Sequence, residues 1–147
     1  MVLSQIEITS AFIPDMRKKK WGRILIISSS GTTQPIPGLG ISNTLRSSLL
    51  GWAKTLSTEI AIDGVTVNTI QPGRIHTERV NQIDAAAAKR TGKSLEQIIK
   101  ASRDTIPTGR YGSIKEFSDV ATFILSNCAS YLTGSLIRVD GGYIKSI

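Results

Sequence analysis

Cysteine and histidine are scarce in this 147-residue sequence, which contains only Cys128 and His76 of these two types. A single cysteine excludes a disulfide within the chain and any multi-cysteine metal site. His76 has no second histidine or suitably spaced carboxylates to complete a set of metal ligands. We therefore expect no metal site, and we expect His76 to face solvent in a loop.

Long apolar runs are also missing. No segment approaches the roughly 20 apolar residues of a membrane span, and the first residues, MVLSQIEITSAF, lack the basic start and apolar stretch of a secretion signal. These absences predict a cytoplasmic protein without a membrane partner. Hydrophobic residues make up 40% of the chain and charged residues 20%, a composition typical of a globular protein of one domain.

Acidic residues are outnumbered, because the chain carries a formal net charge of +7. Clustered lysines can neutralise phosphates, which suggests a nucleic-acid partner. The only basic run, however, is MRKKKWG at 16–22, and cations in the last turn of a helix also complement the helix dipole while they remain in water. We favour a solvated helix end over nucleic-acid binding through Lys18, Lys19 and Lys20.

Three apolar runs predict β-strands. RILIIS at 23–28 is apolar at consecutive positions, a pattern typical of a strand that is covered on both faces. GVTVNTIQPG at 64–73 alternates less than an exposed strand would and ends in Pro72-Gly73, so it indicates a second buried strand that runs into a turn. GSLIRVDGG at 134–142 indicates a third strand, followed by paired glycines. A strand, a helix and a strand in this order predict a right-handed parallel crossover, and therefore an α/β fold.

Periodicity and caps mark the helices. A weak pattern predicts a helix at 4–19, and two capping boxes, Ser94 with Gln97 and Ser113 with Glu116, announce two later helices. The clearest helix follows the loop SSGTTQPIPGLG, where apolar residues recur three or four positions apart. These residues are Leu45, Leu49, Trp52, Leu56 and Ile60.

The order of these motifs resembles the C-terminal half of a short-chain dehydrogenase/reductase, in a divergent form similar to the 3-oxoacyl-acyl-carrier-protein reductases. GRILIISS resembles the family's strand that ends in its catalytic serine, and LLGWAKTLSTEIAIDGVTVNTIQPGRIHT resembles the next helix, strand and loop. IPTGRYGSIKEFSDVATFILSNCASYLTGSLIRVDGG resembles the family's terminal segment. The resemblance implies a partial Rossmann-like, doubly wound parallel sheet, with residues 1–147 forming a single partial domain.

The glycine-rich turn that binds the cofactor's pyrophosphate in this family has no counterpart in the sequence. GLGISN contains Gly38 and Gly40, but Asn43 stands at the third glycine position and the segment lies far beyond the strand end, so we interpret it as a loop. The resemblance also places the family's helix asparagine at Met1. We therefore expect a truncated reading frame or a remnant that lacks the nucleotide-binding half.

The resemblance places Ser29 at the family's catalytic serine, whose hydroxyl would bind the substrate carbonyl. The alternative is a serine that merely shapes a turn at the strand end. Ser42 and Arg46 stand where the family has its tyrosine and lysine. An alkyl hydroxyl is a weaker acid than a phenol, and arginine does not relay a proton, although Arg46 could still bind a ribose hydroxyl. Tyr111 and Tyr143 lie in other motifs, so we expect neither to replace the missing phenol.

The resemblance further implies that Pro72, Gly73, Ile75 and Thr77 flank the nicotinamide end of an NAD(P) cofactor. A plain proline-glycine turn, with Thr77 capping the next helix, fits the sequence equally well. Residues 78–104 would then form the lid that shapes the substrate pocket.

Two functions remain open at this point. The first is an oxidoreductase that, in its complete form, transfers a hydride between NAD(P)(H) and a small-molecule carbonyl or alcohol substrate. The second is a non-catalytic remnant that pairs with itself or with complete relatives, because the tyrosine and the glycine-rich turn are both missing. We expect a homo-oligomer, formed through the two long helices that make the family's usual dimer surface.

Overall fold

The apolar runs form one parallel sheet. A computed structural model of the chain describes residues 2–146, in which three strands and five α-helices follow one another. The elements are α1 (Val2–Lys19), β1 (Gly22–Ile27), α2 (Gly40–Ile60), β2 (Val65–Pro72), α3 (Glu78–Thr91), α4 (Leu95–Asp104), α5 (Ile114–Leu125) and β3 (Leu136–Val139). The predicted α/β class and the partial Rossmann-like sheet are confirmed.

Strand β2 lies at the centre of the described sheet, in the order β1-β2-β3, and both of its pairings are parallel. It pairs with β1 from Gly22 opposite Val65 to Ile27 opposite Ile70. Its last four residues pair with β3. Because β2 has a strand on each side and helix α2 against it, every residue from Val65 to Gln71 is buried.

The main core lies between α2 and the first two strands. Leu49, Leu56 and Ile60 project from α2 at helical spacing, and they join Val65 and Val67 of β2 in one buried cluster. These apolar positions explain the long helix, because burial of one face offsets the entropy of ordering it. Helix α2 begins earlier than the sequence indicated, since Gly40–Asn43 of the predicted loop form its first turn.

Strand β1 is less buried than its apolar run predicts. Ile27, at its end, is 55% exposed, whereas Ile26 is buried. The reason is its position, because β1 has a strand neighbour on one side only within residues 2–146. An apolar run predicts a strand from local sequence, but the burial of that strand depends on neighbours that the run does not specify.

The basic run has a structural role that the sequence did not indicate. Arg17 and Lys20, at the end of α1, each contact Asp63 at 2.7 Å, and Asp63 lies just before β2. The hydrogen bonds from Lys20 and Arg17 hold the pKa of Asp63 below its ordinary value. Lys18 and Lys19 remain exposed in the last turn of the helix.

Three further features are the helix caps, the lone thiol and the length of the apolar helices. Both capping boxes form, at Ser94 with Gln97 and at Ser113 with Glu116, so the predicted helix starts are confirmed. Cys128 is free and exposed in the short turn after α5. No helix within residues 2–146 is long and apolar enough to cross a bilayer.

Leu49→Ala should test whether α2 anchors the core. Leu49 is 1% exposed, so its truncation should lower the free energy of unfolding by about 2–5 kcal/mol. Urea unfolding followed by circular dichroism would measure the loss. Ile41→Ala is the matched control, because Ile41 lies on the same helix but is 81% exposed. An equal loss in both variants would contradict this account of the core.

Candidate active site

A cleft opens where the three strands end. Because parallel strands point their carboxyl ends to the same edge, the residues that follow β1, β2 and β3 meet there. The cleft has a volume of about 440 Å³, within the range of small-molecule sites. Its floor and walls include Ser28, Ser29 and Ser30 after β1, Pro72 and Gly73 at the end of β2, and Tyr143 after β3.

Ser29 lies in the cleft, but its hydroxyl also serves the local turn. Its Oγ accepts a hydrogen bond of 3.2 Å from the amide of Gly31, which caps the short helical turn after β1. The role of Ser29 in the turn is therefore confirmed as one contact of its hydroxyl. A hydroxyl oxygen has two lone pairs and the group still has its proton to donate, so Ser29 can also contact a ligand. The neighbouring Ser28 Oγ is buried and has no hydrogen-bond partner within residues 2–146.

Gln71, which the sequence analysis missed, fixes the loop that carries Ser29. Its side chain is fully buried in β2. The Nε2 group donates to the carbonyl oxygen of Ser29 at 2.7 Å and to the hydroxyls of Thr32 and Thr33 at 2.8 and 3.0 Å. A glutamine inside a strand that is predicted to be covered on both faces is the signal that could have revealed it, because a buried amide must find partners.

Ser42 and Arg46 lie one turn apart near the start of α2 and line the same cleft. The Arg46 Nη1 group lies 3.5 Å from the carbonyl oxygen of Ile27, at the end of β1. This is a long contact for a cation, so most of its hydrogen-bonding capacity is available to a ligand. The structure therefore brings Ser29, Ser42 and Arg46 to one cleft.

The four residues expected to flank the nicotinamide, at the end of β2 and in the loop after it, divide into two pairs. Pro72 and Gly73 line the cleft, and the Gly73 amide bonds the carbonyl oxygen of Val139 at 2.9 Å. Ile75 is not among the cleft's lining residues, since it bridges to Gly112 and lines a smaller neighbouring cavity. Thr77 is the N-cap residue of α3, but its side chain makes no capping bond. Their predicted contacts with a nicotinamide stay predictions.

An ion pair beneath the cleft was also missed from sequence. Asp84 on α3 is 1% exposed, and its two carboxylate oxygens contact Arg74 Nη1 at 2.6 Å and the Tyr111 hydroxyl at 2.7 Å. Arg74 itself lines the cleft. Burial first, and the hydrogen bond to Asp84 second, raise the pKa of Tyr111. This network ties α3, the first half of the predicted lid, to the segment before α5.

Tyr143 lies closer to the site than the sequence analysis expected, because it lines the cleft with Ser42. The turn after β3 places it there. Both carboxylate oxygens of Asp140 accept backbone hydrogen bonds, from Gly142 at 2.9 Å and from Ile144 at 3.0 Å. Gly141 has a φ of 64°, and a Cβ there would lie 2.5 Å from the Thr108 hydroxyl oxygen, so the turn requires glycine.

His76 is exposed in the loop before α3, where its amide bonds the Gly112 carbonyl oxygen at 2.7 Å. Its ring centre lies 6.4 Å from that of Tyr111. Within residues 2–146, no three side chains of histidine, cysteine, aspartate or glutamate are grouped so that they could hold a metal ion.

Comparison with known proteins identifies the family. The profile described as enoyl-(acyl carrier protein) reductase matches residues 1–144. The chain is 36% identical to the 3-oxoacyl-acyl-carrier-protein reductase FabG of Aquifex aeolicus over 92% of its length, and 35% identical to dehydrogenase/reductase SDR family member 4 of Bos taurus over 95%. The chain belongs to the short-chain dehydrogenase/reductase family. It covers 50% and 47% of these two relatives, so it spans about half of their length.

Solved structures of short-chain dehydrogenase/reductases agree with this assignment. YwfH, an NADPH-dependent reductase involved in bacilysin biosynthesis, superposes with a TM-score of 0.93 at 29% identity. The L-sorbose reductase of Gluconobacter frateurii, solved with NADPH and L-sorbose, gives a TM-score of 0.91 at 29% identity. Each comparison covers 99% of this chain and 56% of the other.

Tyr111→Phe should destabilise the chain, because it removes a hydrogen-bond donor from the buried carboxylate of Asp84. We expect a loss of about 1–3 kcal/mol in the free energy of unfolding at pH 7. A phenol whose pKa is raised on folding stabilises the fold fully below its ordinary pKa of about 10 and loses that contribution as pH rises through the raised value. The difference between wild type and variant should therefore shrink above pH 10.

Urea unfolding at a series of pH values measures this difference. Tyr131→Phe is the control, because Tyr131 is fully exposed and its substitution should change little at any pH. A difference between wild type and Tyr111→Phe that grows at alkaline pH would contradict the role given to the phenol.

Proposed function

We propose that this chain forms the substrate-facing part of an NAD(P)(H)-dependent reductase that acts on carbonyl or alcohol groups. The observation that supports the proposal is the cleft itself, in which Ser29, Ser42, Arg46, Pro72 and Gly73 lie together at the carboxyl ends of parallel strands. Membership of the family supports the reaction type. The substrate and the choice between NAD and NADP stay open.

The cleft fits one end of the cofactor better than the other. Ser42 and Arg46 offer a hydroxyl and a cation to a ribose, and Pro72 and Gly73 border the same space. Ser28 adds a buried hydroxyl that has no partner in the described part of the chain. Nothing in residues 2–146 resembles a glycine-rich turn for the pyrophosphate, since Gly38 lies in a loop and Gly40 begins α2. The described residues therefore suit the nicotinamide end.

The cofactor, when bound, supplies or accepts the hydride. On this proposal the Ser29 hydroxyl donates to the substrate oxygen, and Arg46 stabilises the negative charge that develops there. Ser42 Oγ holds a proton near the same oxygen, but it gives that proton up far less readily than a phenol does. Arg46 keeps its proton at neutral pH, so it contributes charge and not proton transfer.

A second candidate is association without catalysis. Ile8 on α1 is 62% exposed and borders β1 on the side where that strand has no strand neighbour within residues 2–146. Phe12, one turn further along the same helix, is 59% exposed. An exposed strand edge beside apolar side chains favours pairing with another chain. The partner would be a second copy or a complete relative, and the catalytic proposal is compatible with a homo-oligomer.

The intact mass of the protein in its own cell distinguishes the two candidates. A mass well above the 15.9 kDa of this chain is expected if these residues are the substrate-facing part of a complete reductase. A mass of 15.9 kDa would favour association, and we expect the isolated 147-residue chain not to reduce keto substrates with NADPH above background. Turnover by the isolated chain would overturn the requirement for a nucleotide-binding half.

Ser29→Ala, made in the intact protein, should lower kcat about 100-fold, because it removes one donor to the developing oxyanion. The measurement is the rate of NADPH oxidation with a saturating keto substrate. Ser47→Ala on the exposed side of α2 is the control and should leave kcat unchanged. An unchanged kcat in Ser29→Ala, with circular dichroism like that of wild type, would leave Ser29 only its role in the turn.

A further inference from the structure

The cleft is cationic. Arg46, Arg74 and Arg79 line it, and no aspartate or glutamate is among the described residues that do so. The three arginines come from α2, from the loop after β2 and from the first turn of α3. The net charge of the chain does not predict that these three arginines meet at one cleft. Other cations lie elsewhere, such as Arg17 and Lys20, which contact Asp63.

These three charges are not equally compensated. Arg74 contacts the buried carboxylate of Asp84 at 2.6 Å, so this pair is close to neutral. Among the described residues, the Arg46 guanidinium has only its 3.5 Å contact with the uncharged carbonyl oxygen of Ile27. The exposed side chain of Arg79 makes no hydrogen bond or ion pair with any other residue from 2 to 146. The cleft therefore presents two cations whose charge has no counterpart in the described chain.

Apolar side chains border the same space. Val80 and Ile83 follow Arg79 on α3, Ile36 and Leu39 come from the loop before α2, and all four line the cleft. Because positions 79, 80 and 83 lie on neighbouring rows of one helix face, a ligand that contacts the Arg79 guanidinium can also contact these apolar groups. The ligand that matches this surface has an apolar body and a negatively charged end.

We propose that the substrate of the cleft is an anionic carbonyl compound with an apolar segment, whose carboxylate or phosphate binds Arg79. The proposal rests on the proposed reductase function for the carbonyl group, but the anion site itself does not depend on hydride transfer. Arg46, one helical turn from Ser42, would contact the reacting oxygen or the ribose instead. Arg79 lies beside Val80 and Ile83, where an apolar substrate would be bound.

The cofactor's own phosphates are the other source of such an anion. The apolar neighbours of Arg79 favour the substrate, because a pyrophosphate gains nothing from contact with Val80 and Ile83, whereas an amphiphilic substrate buries apolar surface there. Nor do the residues from 2 to 146 form a glycine-rich turn beside Arg79 that would hold a pyrophosphate. A binding measurement without cofactor separates the two sources.

Calorimetric titration of the full 147-residue chain with octanoate and with octanamide is the direct test. The two ligands share an apolar chain and differ in charge. One charged hydrogen bond of about 1.5 kcal/mol corresponds to roughly tenfold in affinity, so octanoate should bind at least about tenfold more tightly than octanamide at low salt. Arg79→Gln should remove this preference and leave octanamide binding unchanged.

Arg90→Gln is the matched control, since Arg90 lies exposed on the same helix and outside the cleft. It should keep the preference for octanoate. Circular dichroism should show that both variants are folded, because neither arginine packs against the core. The comparison of octanoate with octanamide on the wild-type chain does not depend on any variant. Equal affinity of wild type for the two ligands, or a preference that survives Arg79→Gln, would overturn the proposal.

A third titration, with NADP+, assigns the source of the anion. If Arg79→Gln weakens NADP+ as strongly as octanoate, Arg79 serves the cofactor and the proposal is wrong. If NADP+ binding to the intact protein is unaffected while octanoate binding falls, the anion belongs to the substrate. Failure of the reductase function would appear separately, as octanoate binding without NADPH oxidation by the intact protein.

Discussion

The parallel pairing of β2 with a strand on each side fixes most of the geometry of the cleft. Because β1 and β3 both run parallel to β2, the residues that follow all three strands meet at one edge. Buried amides then hold the loops. Gln71 bonds the loop after β1, and Asn68, 1% exposed, bonds the Leu132 carbonyl oxygen at 2.7 Å and the Ser135 amide at 3.1 Å. An apolar residue at either position would leave those backbone groups without these partners.

Acidic residues are fewer than cations, and five of them form ion pairs within residues 2–146. The two buried ones, Asp63 and Asp84, each hold cations at a defined place in the fold. Asp63 binds Arg17 and Lys20 and joins the end of α1 to the start of β2. Asp84 does the same beneath the cleft, where it compensates Arg74 and orients Tyr111. None of the acidic residues among 2–146 lines the cleft, so the charges of Arg46 and Arg79 there remain uncompensated.

The sequence predicted those features that depend on neighbours along the chain. The strands, helix α2 and both capping boxes follow from local periodicity and local hydrogen bonds, and all of them form. The exposure of Ile27 and the position of Tyr143 depend on which elements pack side by side, which local patterns do not specify. Asp84 was missed for the same reason. An aspartate in an alanine-rich helix predicts a solvent-exposed side chain, and only the fold shows that Arg74 and Tyr111 contact it.

Ser42 and Arg46 act within the electrostatic environment of the whole cleft. A phenol beside a lysine delivers a proton, whereas a hydroxyl beside an arginine keeps one and offers a permanent cation. In a cleft that already contains Arg79 without a counter-charge, a second cation at Arg46 further stabilises negative charge on a bound ligand. On the proposed function, the alkoxide formed by hydride transfer is therefore held by charge, and its proton comes from the solvent that reaches the open cleft. On these two proposals Arg46 stabilises the oxyanion and Arg79 binds the anionic end of the substrate, so the substitutions at 42 and 46 and the cationic lining of the cleft are consistent with one another.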